Sequence, residues 1–257
     1  MSALYNTYMI RPIILLLAAC FGMLSCMAQQ DRRVQYKPYV DLRPMHFGIL
    51  VGAHLQDLEL ENVGMQTITD ESGNITNQLI VCDADRWSPG FSVGVLGELR
   101  LHDNFSLRIS PTMHFGAKHL TFIDMQNTDA TGKAIKQTQD LKNTYFSLPI
   151  DIKFAAPRWN NHRPYVIAGI NPMISMTKGD QDIIRLNRFS TMVEVGLGCD
   201  FYLPFFKLIP ELKFCFGLSN VLDTNHVNEL RDANLKAFAG SVSSAQAKMV
   251  VLTFYFE

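Results

Sequence analysis

Charged side chains recur at alternate positions inside otherwise apolar runs, and they are the residues here whose type and spacing could do chemistry. They are Glu98, Arg100, Arg108, Asp151, Lys153, Glu194, Asp200, Glu211 and Lys213. Successive side chains in a strand point to opposite faces, so these residues share a face opposite the intervening Phe, Val, Leu and Ile. Two chemistries fit such a face: a salt-bridged filling of a narrow space, or an ion path with a switchable gate. In a narrow closed space opposite charges pair, because an unpaired buried charge is costly. A structural ion-pair network is therefore the expectation.

The other reactive groups point to little. His46 and His54 share a face but lie roughly 26 Å apart at strand rise, too far to share a metal. Ser110 and His114 make a conceivable fragment of a lipid hydrolase or acyltransferase, but four residues along a strand separate them too far for a direct hydrogen bond. Beyond the N-terminal segment the cysteines are Cys82, Cys199 and Cys215. An odd number is not a disulfide framework. Cys199 and Cys215 have opposite facings, so they are read as free thiols. No enzyme activity, cofactor, metal or small-molecule substrate is expected.

The elements that position the charged face are strands. The clearest are two runs from Phe189 to Leu218 joined by Leu203-Pro204-Phe205-Phe206. Val193, Val195, Leu197, Cys199 and Phe201 alternate with Glu194, Gly196, Gly198 and Asp200. Leu212, Phe214 and Phe216 alternate with Glu211, Lys213 and Cys215. Further runs lie at about 46–58, 90–101, 105–123, 144–154, 164–176 and 248–256, giving eight strands. Their connections alternate between long and short. The short ones are 102–104, 157–163 and 203–206. The long ones are 59–87, with a turn signal at Asp70-Glu71-Ser72-Gly73-Asn74, 124–142 and 219–247, with 177–188 of medium length. The last long one carries a short amphipathic helix signal after Thr224-Asn225.

Long loops at one end and short turns at the other describe an eight-stranded antiparallel up-and-down transmembrane β-barrel, with long extracellular loops and short periplasmic turns. Lipid would meet the apolar face, and the charged face would fill the interior of a barrel this narrow. Trp159, Phe205 and Phe206 then sit in the short turns as anchors at the periplasmic interface. Pro111, Pro149, Pro172 and Pro210 fall inside the expected strands, where proline marks edges, bulges or ends.

The bulk properties agree. A formal charge of −1 over 257 residues gives nucleic acid binding no electrostatic support. Arg11, the apolar run Ile13–Met23 and the small residues to Ala28 read as a secretory signal peptide, 1–28, cleaved after Ala28. Met9 is an alternative start. Cys20 is an alternative lipidation site, although Phe21-Gly22-Met23-Leu24 stays apolar beyond it. Residues 29–44 are a polar periplasmic segment and 45–257 the barrel.

Several blocks in order carry a family resemblance. They are Asn104-Phe105-Ser106-Leu107-Arg108-Ile109-Ser110-Pro111, Asn143-Thr144-Tyr145-Phe146-Ser147-Leu148-Pro149 and His162-Arg163-Pro164-Tyr165-Val166-Ile167-Ala168-Gly169. With them go Gly198-Cys199-Asp200-Phe201-Tyr202-Leu203, Phe206-Lys207, Pro210 and the end Leu252-Thr253-Phe254-Tyr255-Phe256-Glu257. Together they resemble the PorT family of Bacteroidetes outer-membrane β-barrels. The same prolines belong to the family pattern. The resemblance implies a component or assembly factor of type IX secretion, supporting export of proteases and adhesins with C-terminal sorting signals without being the main conduit. It implies outer-membrane lipid and other type IX secretion components as partners, and both termini in the periplasm. The alternative is a structural or adhesive barrel of OmpA type without a secretion role.

Overall fold

The computed structural model describes residues 34–69, 75–84, 87–128, 134–177, 183–230 and 233–257. The chain divides into two compact units, Met1–Gln35 and Tyr36–Glu257, and all the strands belong to the second. The signal segment, Cys20, residues 29–33 and the 70–74 turn lie outside the described residues.

Strict alternation of apolar and polar residues builds a single antiparallel sheet of twelve segments. They are β1 (Met45–Asn62), β2 (Met65–Thr69), β3 (Ile75–Ala84), β4 (Ser88–Arg100), β5 (Phe105–Ile109) and β6 (Thr112–Thr128). Then come β7 (Ala134–Ser147), β8 (Ile150–Ala155), β9 (His162–Ser175), β10 (Phe189–Tyr202), β11 (Lys207–Gly217) and β12 (Val242–Phe256). The pairings return on themselves. β1 pairs with β4, β4 with β5 and β6, β5 with β8, and β6 with β7. β8 and β7 pair with β9, β9 with β10, β10 with β11, β11 with β12, and β12 with β1. The eight expected passes therefore close into a ring. β5 with β6 form one pass and β7 with β8 another, and the β2–β3 hairpin stands beside β6.

Prolines explain the breaks. β5 gives way to β6 at Ser110-Pro111, and β7 to β8 at Leu148-Pro149. On β9 the paired residues skip Asn171-Pro172 on that side, passing from Ile150↔Ile170 to Ser147↔Met173. Pro210 lies within β11, where its ladder to β10 lapses between Gly198↔Glu211 and Phe201↔Leu208 while pairing with β12 continues. A residue without an N–H can serve one neighbour and not the other.

The polarity of the wall inverts along its height. Near the short turns the outside is apolar, as at Phe47, Ile49 and Val51, and Phe91, Val93 and Val95. Toward the long connections the inside is apolar instead, with Leu58, Ile80, Cys82, Leu120, Phe122 and Leu141 in one buried cluster. The outside there carries polar pairs such as His119↔Asp140 and Asp57↔Lys248.

That inversion corrects the expected loops at 59–87 and 124–142, and the start of the last strand at 248. Among the described residues their backbones keep pairing as strands beyond the apolar belt, while the outward apolar signal stops there. The helix signal after Asn225 corresponds to two short helices, α1 (His226–Glu229) and α2 (Ala233–Ala239). Among the described residues no helix is long and apolar enough to cross a membrane, which says nothing of strands.

Candidate functional site

The inward face of the ring gathers most of the sequence-predicted charges into one connected set. Arg108 on β5 is its centre. Its Nε and Nη2 donate to Glu98 Oε2 on neighbouring β4 at 3.1 and 2.7 Å, and its Nη1 donates across the lumen to Glu211 Oε2 on β11 at 2.5 Å. The guanidinium carbon lies 5.1 Å from the Tyr165 ring centre and 4.9 Å from that of Tyr255, so two aromatic faces flank the cation. Both hydroxyls donate to Glu211, Tyr165 to Oε2 at 2.5 Å and Tyr255 to Oε1 at 2.7 Å.

Two branches leave this centre. Toward the short turns, Lys153 reaches Glu98 at 3.4 Å and Asp200 at 3.0 Å. Lys207 continues it from Asp200 at 3.2 Å to Glu257 at 3.0 Å, and Glu257 meets His46 Nδ1 at 2.5 Å. In the other direction, Lys213 sits among Glu194 at 2.6 Å, Asp151 at 3.1 Å and Glu211 at 3.6 Å. Asn171 then donates to Glu194 at 2.9 Å. Gly169 pairs with Asp151 on one side and Glu194 on the other. A Cβ there would lie 2.2 Å from Asp151 Oδ1 and 2.3 Å from the Ile150 carbonyl, so glycine is what lets this carboxylate settle against the wall.

Arg100 is the exception among the nine and corrects the expectation. It lies at the rim, donating to the Leu42 carbonyl at 3.3 Å and pairing with Asp103 in the adjoining turn. Its parity is inward, but it is the last residue of β4, one past the end of the pairing with β1 at Met45↔Leu99. Conversely, Lys207, Glu257, Tyr165 and Tyr255 join the network without having been singled out, and His46, weighed only as a metal ligand, joins it too. Lys207 has the parity of Glu211 and Lys213, so the signal was present, but it directly follows the short connection. Trp159, Phe205 and Phe206 lie in the short connections between strands. Trp159 is 70% and Phe205 90% exposed, while Phe206 lies 6.0 Å from Phe256.

A second buried set lies beside the first. His54 Nδ1 meets Ser92 Oγ at 2.8 Å, Ser92 Oγ meets His114 Nδ1 at 2.7 Å, and His114 Nε2 meets Ser147 Oγ at 3.0 Å. Ser110 stays apart from His114 and its hydroxyl has no hydrogen-bond partner. The adjacent cavity, lined by both residues, is about 20 Å³. That is room for a water and not for an acyl chain. Among the described residues no cluster of His, Cys, Asp or Glu could hold a metal ion. Cys199 and Cys215 are free thiols.

Both ends of the barrel are covered. At the short-turn end the polar segment before β1 crosses the base. Asp41 accepts from Tyr202 Oη at 2.5 Å and faces Arg163 at 3.6 Å and Arg158 at 3.7 Å. Arg158 stacks 3.6 Å over the Tyr202 ring and donates to the Lys37 carbonyl at 3.1 Å. At the other end two loops fold inward, joined by the bridge Leu186↔Leu222 and by Arg185 Nε donating to Asp223 at 2.9 Å. They bury Ile183, Ile184, Val221 and Leu222 with Phe238 of α2 over the lumen. A half-open cavity of about 300 Å³ remains on this side, between Ile184, Asp223 and Val242 among others.

Comparison with known proteins follows the same lines. The outer membrane protein beta-barrel domain family matches residues 27–223. No curated protein sequence matches the chain. Among solved structures it is similar to the outer membrane protein OprG from Pseudomonas aeruginosa, with 12% identity over 82% of this chain and 93% of that one and a TM-score of 0.44. It is also similar to Neisserial surface protein A, with 10% identity over 83% and 98% and a TM-score of 0.39. Ail, the attachment invasion locus protein of Yersinia pestis, solved with the heparin analogue sucrose octasulfate, gives 12% identity over 83% and 99% and a TM-score of 0.33.

Proposed function

The chain belongs to the outer membrane protein beta-barrel domain family, and from that premise we propose that it is a non-enzymatic component or assembly factor of type IX secretion. The observation that carries this reading is the filled lumen. Arg108, Glu98 and Glu211 meet inside the ring, buried from solvent. A lumen so packed leaves no room for a folded protein, which fits a barrel that supports export without being the conduit. The ordered blocks from Asn104-Phe105 to Phe256-Glu257, with their prolines, supply the link to the PorT family. On this reading a signal peptide directs the chain to the outer membrane, and both termini and the short turns face the periplasm. The long connections face outward, and the contacts are lipid and other secretion components.

Deleting the gene and assaying surface delivery of proteins with C-terminal sorting signals tests the reading. Loss of delivery, restored by the intact gene, is the expected result. Normal delivery would leave the alternative, a structural or adhesive barrel of OmpA type.

A further inference from the structure

Three proline-marked interruptions meet on one side of the barrel. β5 breaks at Ser110-Pro111, β7 at Leu148-Pro149, and the adjoining β9 ladder skips Asn171-Pro172. A few carbonyls still bridge the seam, with Ser110 N–H donating to the Pro149 carbonyl at 3.3 Å and Leu148 N–H to that of Pro172 at 3.0 Å. Behind it lies the internal cavity of about 20 Å³, lined by Ser110, Pro149 and Asn171 together with His114 and Glu194.

Two polar atoms on this lining are buried without a protein partner, Ser110 Oγ and Asn171 Oδ1. Their residues are 1% and 2% exposed. An unpaired buried polar atom costs roughly 1–3 kcal/mol, and here two occur on one cavity. Two neighbouring side chains are already engaged. Asn171 Nδ2 is committed to Glu194, and His114 to Ser92 and Ser147. A volume above about 10–15 Å³ with polar partners is what a buried water requires.

The geometry points to a specific site for one ordered water, which donates to Asn171 Oδ1 and exchanges a hydrogen bond with Ser110 Oγ. The proline seam makes the room for it. Through Asn171 the water extends the Glu194–Lys213–Asp151 branch to Ser110, beside the His54–Ser92–His114–Ser147 set. A cation is disfavoured because Lys213 lies on the same lining and Glu194 is already satisfied by Lys213 and Asn171.

A crystal structure of the intact, detergent-solubilised protein at a resolution that shows waters tests this. The expected result is one density peak within about 2.6–3.2 Å of both Ser110 Oγ and Asn171 Oδ1. An empty cavity would overturn the assignment, as would an anomalous peak there in rubidium-soaked crystals. A Ser110→Val protein, in which a methyl takes the hydroxyl's place and narrows the cavity, should lose the peak. Its persistence there would show that these two groups do not form the site.

Discussion

Arg108 and Glu211 hold each other across the barrel from strands on opposite sides of the ring, Nη1 to Oε2 at 2.5 Å, with both side chains fully buried. The contact joins β5 to β11, which share no ladder, so it acts as a cross-brace where backbone pairing cannot reach. Removing one partner leaves the other charged and unsolvated. Arg108→Ala leaves Glu98 only Lys153 at 3.4 Å and Glu211 only Lys213 at 3.6 Å and its two tyrosines, and is expected to cost about 3–5 kcal/mol. Replacing Arg108 with Met and both carboxylates with Gln should recover much of that loss, because no buried charge is then left alone. Urea titration of refolded protein in lipid, read by the difference in gel migration between heated and unheated samples, measures both. An unchanged midpoint for Arg108→Ala would remove the brace.

Gly169 is a second point where the network depends on the wall. An added Cβ meets Asp151 Oδ1 at 2.2 Å and the Ile150 carbonyl at 2.3 Å, and the second of these is backbone and cannot rotate away. Gly169→Ala should therefore part β8 from β9 locally and lower stability by about 1–3 kcal/mol, the usual range for overpacking. Gly97 is the control, since its nearest neighbour is 3.6 Å away. Gly97→Ala should refold like the parent, and equal losses at both positions would show that the clash at Asp151 is not the cause.

The segment across the base hangs on Asp41, which gathers Tyr202, Arg158 and Arg163. Asp41→Ala is expected to free the segment and speed chymotrypsin cleavage after Tyr36 and Tyr39 in reconstituted protein. The barrel itself should keep its heat-modifiable migration, because its ladders are untouched. Tyr202→Phe, which removes only the hydroxyl, should give a smaller increase, with about 1 kcal/mol lost. Cleavage at the parental rate in Asp41→Ala would mean that the backbone contacts with Arg158 suffice alone.

How far the fold could be read in the sequence follows the membrane's chemistry. Within the apolar belt every strand carries its own signature, because lipid favours apolar residues at the outward positions, and there Glu98, Arg108, Asp151 and Lys153 stand on the inner face. Above the belt, Leu58, Leu120 and Leu141 turn inward while Glu59, His119 and Lys142 turn out. The alternation survives with its meaning reversed, and a reading keyed to outward apolar residues sees loops. Arg100 had the right parity and the wrong depth, which periodicity cannot supply. The Asp41 cluster joins residues 161 positions apart through a segment with no periodic pattern, so nothing local announced it.

At the loop end, the Arg185 hydrogen bond holds the Asp223 carboxyl below the usual carboxylate range. Slight burial pushes the other way, and the Asn225 backbone N–H adds to the lowering. A depressed folded-state value means that the stabilisation is present above the unfolded carboxylate pKa and is lost as pH falls through the folded one. The two loops should therefore loosen only in acid. Hydrogen exchange at the amides that bridge them, Asn187 and Asp223, should quicken below that point after correction for intrinsic rates. Asp223→Asn should exchange faster at neutral pH and lose the acid step. A step that survives in Asp223→Asn would assign the pH dependence to another group.

The outward face should also answer to depth. Val195 is 45% exposed on β10 and lies midway along the strand, between Ala168 of β9 and Phe214 of β11. In lipid, arginine at mid-height costs about 2–4 kcal/mol and falls toward 0–1 kcal/mol near the interface. Val195→Arg should therefore lose that much on refolding into bilayers. Gln246→Arg, outward on β12 beyond the apolar belt, should lose almost nothing. The comparison isolates the bilayer from the fold, because both substitutions leave the lumen and the ladders alone. Equal costs at the two positions would place the lipid boundary elsewhere on the barrel, and would detach the reversal of polarity at Leu58 and Leu120 from the edge of the membrane.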